Sequence, residues 1–162
     1  MIFKRPLRVD RTVYAYQDRV RGAILGHLER TQFSDSFVRE VYLVGSLVDG
    51  EFGVYCKPDK GRLASDVDLI IVGDDEFPIP NSWVEKSPHI FDLYALPNLD
   101  GVPRMTGRIH GVSAMVYLDS KKDELVVIND KVRGKGLEGL TREQVWPKVL
   151  DHMGAELVYS RV

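Results

Sequence analysis

Apolar residues recur every three or four positions over residues 12–31, which is the spacing of one face of an α-helix. Val20, Ile24 and Leu28 occupy such positions, while Arg19 and Glu29 belong to the opposite, charged face. The pattern therefore predicts a helix over residues 12–31 that lies against a core on one side only.

A second helix is predicted over residues 141–153. Thr141, with Gln144 three residues later, forms a capping box, which is a common helix start. Pro147 lies inside this segment, and a proline either kinks a helix or stands in its first turn. We therefore expect a kink at Pro147 or a helix that begins there.

Short apolar runs that are rich in β-branched residues predict β-strands between the two helices. These runs are residues 41–44, 67–72, 89–96, 111–118 and 124–128. Residues 119–123 are expected to form a hairpin turn, and residues 50–61, 73–88 and 97–107 to form loops. The order of elements predicts an α+β fold, with a mixed β-sheet and helices packed mainly on one face.

Length and composition fit one globular domain over residues 1–162. The chain has 162 residues, of which 44% are hydrophobic and 28% charged, so it can bury a core without metal or disulfide support. Cys56 is the only cysteine, which excludes an intrachain disulfide and a multi-cysteine zinc site and favours a reducing compartment. The N-terminal residues lack the apolar stretch of a signal peptide, so a cytoplasmic location is expected.

The charge balance limits the partners that electrostatics alone could attract. The net charge is −2, so a polyanion would have to meet a local basic patch. Lys131, Arg133 and Lys135 could form such a patch, and a solvated loop is the alternative. No membrane partner is expected, because the longest aliphatic run, residues 69–72, is far shorter than the roughly 20 residues that span a bilayer.

The most informative stretch of the sequence contains two aspartates at the start of an apolar strand. Side chains alternate along a strand, so Asp66 and Asp68 share one face while Val67 and Leu69 point into the core. Two carboxylates this close repel each other unless a cation lies between them, and a hard divalent ion prefers oxygen ligands. The alternative is a solvated strand entry that happens to be acidic.

A second feature lies upstream, where the apolar strand over residues 41–44 ends in Gly45-Ser46. Glycine permits close backbone approach, and exposed N–H groups with a hydroxyl can hold phosphate oxygens. Each feature alone is a weak signal. Together, Gly45-Ser46 and the later Ser65-Asp66-Val67-Asp68-Leu69 resemble the two halves of a metal–nucleotide site.

On these residues the sequence resembles the DNA polymerase β-like nucleotidyltransferase superfamily, and within it the minimal nucleotidyltransferases. The resemblance covers roughly residues 41–94. It implies that Gly45, Ser46 and Ser65 bind the nucleotide. It also implies that Asp66 and Asp68 bind two Mg²⁺ ions, with Mn²⁺ as a substitute, and that Asp92 on a neighbouring strand is the third catalytic and metal-binding carboxylate.

The resemblance implies an enzyme that transfers a nucleoside monophosphate from an NTP, with ATP as the expected donor, to a hydroxyl. The acceptor stays open among a protein, an RNA end and a small molecule, and a second protein chain could supply specificity. The alternative is a non-catalytic module of the same fold that binds a protein partner or senses nucleotides. Apolar residues flank Asp92, so we expect it to be buried beside the metal; Asp119 is a competing ligand, and a salt bridge to Arg104 or Arg108 is the structural alternative.

Two departures from the family pattern affect these expectations. Residues 47–65 are longer than the usual connection, which fits an inserted loop. The family's Ala-Arg-Gly is replaced by Leu47-Val48-Asp49-Gly50, so a phosphate contact has to come from Lys57, Lys60 or Arg62, or is missing and the protein is impaired. For each of these basic residues a solvated loop charge is the alternative. Other families with an Asp-x-Asp pair, the haloacid dehalogenase-type phosphatases and the GT-A glycosyltransferases, place the apolar strand before the pair. Gly134-Lys135-Gly136 lacks the spacing of a P-loop.

Overall fold

A computed structural model of the protein describes residues 10–31, 33, 36–99, 109–121 and 142–161. Its strands are β1 (Arg11–Val13), β2 (Val38–Val44), β3 (Gly53–Asp59), β4 (Arg62–Ala64), β5 (Val67–Gly73), β6 (Val84–Ser87), β7 (Ile90–Ala95), β8 (Gly111–Leu118) and β9 (Glu156–Ser160). Its helices are α1 (Gln17–Thr31), α2 (Ser46–Asp49) and α3 (Arg142–Met153), and a 3₁₀ turn spans Asp119–Lys121.

Six of the described strands form the main sheet in the order β6-β7-β8-β5-β2-β9. Strands β5 and β8 are parallel, whereas the other neighbours in this sheet are antiparallel. A smaller antiparallel sheet has the order β1-β3-β4. The mixed sheet with few helices confirms the predicted α+β class.

Helix α1 packs on one face of the main sheet. Its buried side chains Val20, Ile24 and Leu28 belong to a core cluster that includes Leu69 and Ile71 of β5. These positions of α1 are the ones that the three-and-four spacing selects. The apolar pattern therefore placed the inward face of this helix correctly.

Helix α3 packs on the opposite face. Its residues Trp146 and Val149 join a second cluster with Tyr42, Ile70 and Tyr117. Successive residues of a strand point to opposite faces, so both faces of β2 and β5 are apolar and each faces a helix. The sequence predicts helices mainly on one face, whereas in the structure α1 and α3 pack on opposite faces.

Several boundaries differ from the sequence predictions. Helix α1 begins at Gln17 rather than at residue 12, because residues 11–13 pair with β3 instead. The expected loops over 50–61 and 73–88 contain strands β3 and β6, and β9 was not predicted. Strand β6 is exposed throughout, and β3 has one buried residue, Gly53, so neither shows the apolar alternation of a half-buried strand.

Some predictions fall on parts of the chain that the structure does not describe. They are the strand over 124–128, the basic residues Lys131, Arg133 and Lys135, and the arginines Arg104 and Arg108. Pro147 lies inside α3. None of the described helices is long and apolar enough to cross a membrane.

Candidate active site

The Gly45-Ser46 turn lies directly beside the acidic strand. Val44, the last residue of β2, is opposite Asp68 in the antiparallel pairing with β5. Gly45 then adopts a φ of 80° and ψ of −150°, a conformation that is essentially restricted to glycine, and Ser46 begins α2. A Cβ on Gly45 would lie 2.8 Å from Oδ2 of Asp68. The two halves of the predicted site therefore meet at one end of the sheet.

The conformation of Gly45 determines which substitution can test the turn. A side chain there is strained by the positive φ as well as by the contact with Asp68. Gly45→Val would therefore perturb folding and nucleotide binding together. Ser46→Ala is the cleaner test of the turn, because Ser46 has no positive φ and alanine can adopt the same backbone conformation.

Asp68 is a partly buried carboxylate with one hydroxyl partner. Ser113 Oγ on β8 donates a hydrogen bond of 3.0 Å to Oδ1 of Asp68. Burial, and after it the Asp66 carboxylate, raise the pKa of Asp68 to about 7, while the Ser113 hydroxyl and Arg62 oppose the shift. A cation beside Asp68 would relieve both the desolvation and the repulsion between the two carboxylates.

Asp66 precedes β5 and has two partners at its two oxygens. The backbone N–H of Gly111 donates to Oδ1 over 3.1 Å, and Nη1 of Arg62 donates to Oδ2 over 3.1 Å. Its side chain is 17% exposed and lines an open cleft of about 590 Å³. Asp66 is therefore held in place by β8 and by the hairpin of β3 and β4.

Asp92 lies on the same sheet face as Asp68 but farther away than expected. Ser113 is paired with Asp68 on one side and with Asp92 on the other, so the three residues form a row across β5, β8 and β7. Because β8 separates the other two strands, the Cα atoms of Asp68 and Asp92 are about 10 Å apart, two strand spacings. Asp92 is thus not on the strand adjacent to β5.

The expectation that Asp92 is buried is wrong. Its side chain is 57% exposed, and Nζ of Lys86 lies 3.6 Å from Oδ2. Asp92 lines the same cleft as Asp66. In the described ranges no group of three or more His, Cys, Asp and Glu side chains is placed to hold a single metal ion. The role of Asp92 as third ligand stays a prediction.

Asp119, the competing ligand, lies at the other end of β8. It begins the 3₁₀ turn that follows Leu118, whereas Asp68 is paired with Ser113 near the start of the strand. Nη1 of Arg39 is 3.4 Å from Oδ2 of Asp119. This position separates Asp119 from the acidic pair.

Ser65 and His110 form a buried network behind the acidic pair. The Ser65 hydroxyl oxygen accepts hydrogen bonds from the Gly53 N–H (3.1 Å) and from Nη1 of Arg11 (2.9 Å). His110 Nδ1 lies 2.6 Å from the Ser65 carbonyl oxygen, which can only accept, so Nδ1 carries the proton. Nε2 then accepts from the Tyr14 hydroxyl over 2.8 Å.

Burial lowers the pKa of His110, which keeps its imidazole neutral. The network ties β1 and β3 to the segment that carries Asp66. Ser65 is fully buried within it, and its predicted nucleotide-binding role stays a prediction.

No protein-family model matches this chain, and no curated protein or solved structure is significantly similar to it.

The donor set at this end of the sheet fits a hard divalent cation. Asp66 and Asp68 supply carboxylate oxygens, and the Ser113 hydroxyl orients one of them. The absence of a side chain at Gly45 leaves room beside Oδ2 of Asp68, which a Cβ would fill. Oxygen ligands of this kind suit Mg²⁺ or Mn²⁺.

Ser113 is the site residue that the sequence analysis missed. It is an ordinary serine within an alternating strand, and only the parallel register of β5 and β8 brings it to Asp68. The pairing of distant strands is not encoded in local periodicity.

Ser113→Ala is expected to raise the pKa of Asp68 and to weaken Mg²⁺ binding about tenfold at pH 7, because a hydrogen bond to a charged group contributes about 1.5 kcal/mol or more. Calorimetric titration with Mg²⁺ between pH 6 and 9 measures this effect. Ser87→Ala, on an exposed position of β6, is the control. Equal Mg²⁺ affinity in Ser113→Ala and the wild type at pH 7 would contradict the role of Ser113.

Proposed function

We propose that this protein is a nucleotidyltransferase that transfers a nucleoside monophosphate from an NTP to a hydroxyl and releases pyrophosphate. The observation that carries the proposal is the meeting of Gly45-Ser46 with Asp66 and Asp68 at one end of the sheet. The resemblance to the polymerase β-like superfamily rests on the same residues. ATP is the expected donor.

In this mechanism Asp66 and Asp68 would hold Mg²⁺. When bound, Mg²⁺ supplies charge neutralisation at the phosphates and activates the attacking hydroxyl. The Ser46 hydroxyl and the turn around Gly45 would bind phosphate oxygens. The cleft would orient the acceptor, because positioning and electrostatics account for most of the rate in such reactions.

The reaction needs no reactant besides the NTP and the acceptor hydroxyl. The acceptor oxygen forms a bond to the α-phosphorus while the bond from that phosphorus to the bridging oxygen breaks. Pyrophosphate leaves with the electron pair, and the proton of the hydroxyl passes to a carboxylate. Asp92, which faces the cleft, is the proposed acceptor of this proton.

The acceptor is proposed to be a protein, an RNA end or a small molecule, and a second protein chain could complete the site. The cytoplasm is the proposed location, since NTPs and Mg²⁺ are present there and the exposed thiol of Cys56 would stay reduced.

Two observations favour a non-catalytic alternative. Asp92 is exposed and paired with Lys86, and Arg62 rather than a third carboxylate contacts Asp66. A module of this fold that binds a protein partner or senses nucleotides would need no third carboxylate near Asp66 and Asp68.

Incubation with NTPs labelled at the α-phosphate, with Mg²⁺ and a cell lysate, tests the proposal. We expect more label than in the lysate alone in the protein, RNA or small-molecule fraction, loss of that label in EDTA, and no such gain from an NTP labelled at the γ-phosphate. Asp66→Asn should remove the label because it weakens the metal site. Asp151→Asn, an exposed carboxylate on α3, is the matched control.

The possible results separate the two candidate functions. Nucleotide binding that depends on Mg²⁺, with no label in any fraction, would favour the non-catalytic module. Equal affinity for all four NTPs with and without Mg²⁺ would contradict both the metal site and the transferase.

A further inference from the structure

Arg62 on β4 extends into the site from the small sheet. Its Nη1 is 3.1 Å from Oδ2 of Asp66, and its Nη2 is 3.6 Å from Oδ2 of Asp59. The guanidinium carbon also lies 6.0 Å from the centre of the Tyr55 ring. The hairpin of β3 and β4 therefore places the guanidinium of Arg62 beside Asp66. The same hairpin also contacts this guanidinium through Asp59 and Tyr55.

The contact with Arg62 changes what Asp66 can offer to a metal ion. The Gly111 N–H is bonded to Oδ1, and Arg62 is bonded to Oδ2. A divalent ion that approached Oδ2 would meet the positive charge of the guanidinium at hydrogen-bond distance, and the two cations would repel each other. The metal and Arg62 therefore compete for the same oxygen.

We propose that Arg62 is an internal counter-cation, which a divalent metal ion displaces from Asp66 and which then binds the phosphate oxygens of the NTP. This inference rests on the proposed function. It implies that Arg62 makes the site prefer a polyanionic ligand that carries a bound metal ion.

The chemistry of the side chain suits both positions. A guanidinium is planar, always charged, and forms paired hydrogen bonds with carboxylates and with phosphates. Arg62 lines the same cleft as Asp66, so a ligand bound there lies within reach of it. The contacts with Asp59 and Tyr55 keep the guanidinium at the cleft when Asp66 is taken by the metal.

Competition of this kind couples the two ligands. A lone metal ion must break the contact between Arg62 and Asp66, whereas a metal ion that arrives with a triphosphate provides a new anionic partner for Arg62. Each ligand therefore favours the binding of the other, and this coupling is reciprocal. The site would hold the metal–NTP complex in preference to the free metal ion.

Binding of Mn²⁺ to the full chain, measured by electron paramagnetic resonance, gives a readout that does not depend on activity. Without nucleotide, Arg62→Gln is expected to bind Mn²⁺ about two- to fivefold more tightly than the wild type, the effect of removing a partly exposed ion pair. The same variant should bind ATP with Mn²⁺ about tenfold more weakly, because a charge-assisted contact to phosphate is lost.

Two further variants serve as controls. Arg39→Gln removes an arginine that is paired with Asp74 and Asp119 at the other end of the sheet, and both affinities should stay at the wild-type values. Arg62→Lys keeps the charge, so its Mn²⁺ affinity should stay close to that of the wild type, while its ATP affinity should fall between those of the wild type and Arg62→Gln.

The outcomes distinguish this inference from the function on which it rests. If the wild type binds Mn²⁺ and ATP but Arg62→Gln binds Mn²⁺ no more tightly, the competition is refuted and the proposed function stands. An ATP affinity in Arg62→Gln equal to that in Arg39→Gln overturns the phosphate contact. If the wild type binds neither Mn²⁺ nor ATP with Mn²⁺, the proposed function fails and the inference fails with it.

Discussion

Replacing Asp68 by asparagine is expected to abolish nucleotidyl transfer while stabilising the metal-free protein at alkaline pH. Transfer should fall by about a thousandfold or more, because a lost metal ligand removes several kcal/mol of transition-state stabilisation. The amide is nearly isosteric with the carboxylate and can still accept from the Ser113 hydroxyl. The loss of activity would therefore not arise from unfolding.

The stability gain follows from the raised pKa of Asp68, which moves from its ordinary value of 3.8 to about 7. Between these two values the folded state keeps a proton that the unfolded state releases, so the wild type loses stability as pH rises through this window. Asparagine has no charge to bury. In EDTA at pH 8 the variant should be more stable by about 2 to 4 kcal/mol, and the gain should nearly vanish near pH 4.

Urea denaturation in EDTA at pH 4.5 and pH 8, with the transfer assay alongside, measures both effects. Asp92→Asn is the comparison. Because the Asp92 carboxylate is exposed, this substitution should change the stability little at either pH. If Asp92 is the third carboxylate, the substitution should still lower transfer by orders of magnitude. An Asp68→Asn protein that is less stable than the wild type at pH 8, or that still transfers label, would contradict this assignment.

Gly53→Ala is expected to destabilise the protein by about 3 kcal/mol, because the added methyl group would overlap the backbone of a paired strand. A Cβ at Gly53 would lie 2.2 Å from the Thr12 carbonyl oxygen and 2.7 Å from Cα of Val13. These are backbone atoms of β1, which cannot move aside as a flexible side chain can. The pairing of β1 with β3 should separate first.

Gly22→Ala is the matched control. Gly22 is an exposed position inside α1, and a Cβ there would meet nothing within 4 Å. Alanine favours helix more than glycine does, so this variant should be more stable by about 0.5 to 1 kcal/mol. Urea denaturation compares the two variants, and hydrogen exchange at the β3 amides locates the change. Equal stability of the Gly53 and Gly22 variants would show that β1 is not closely packed on β3.

The acidic pair and the turn could be predicted because their signals are local. Alternation along one strand places Asp66 and Asp68 on the same face, and the buried Val67 and Leu69 confirm the direction. The end of the apolar run at Gly45 marks the end of β2. The predicted run over 111–118 coincides with β8, and the run over 67–72 stops one residue short of the end of β5.

The rest depends on which strands lie side by side, and local periodicity does not encode that. Strand β8 follows β7 in the chain but lies between β7 and β5 in the sheet, which moves Asp92 away from Asp68 and brings Ser113 to it. Strand β3, which has no apolar alternation to mark it, forms because β4 and β1 pair with it on either side. The sequence therefore identifies the acidic pair and the turn, but not the contact with Ser113 or the distance to Asp92.

The pairing of β9 with β2 has a consequence for the newly synthesised chain. The four strands around the site, β2, β5, β7 and β8, are synthesised in sequence over residues 38–118, and β9 is synthesised after all of them. Until β9 arrives, β2 presents an unpaired edge of N–H and C=O groups, which is a template for pairing with another nascent chain. Slow translation between β8 and β9 would therefore promote aggregation, even though every strand that carries the site had already been made.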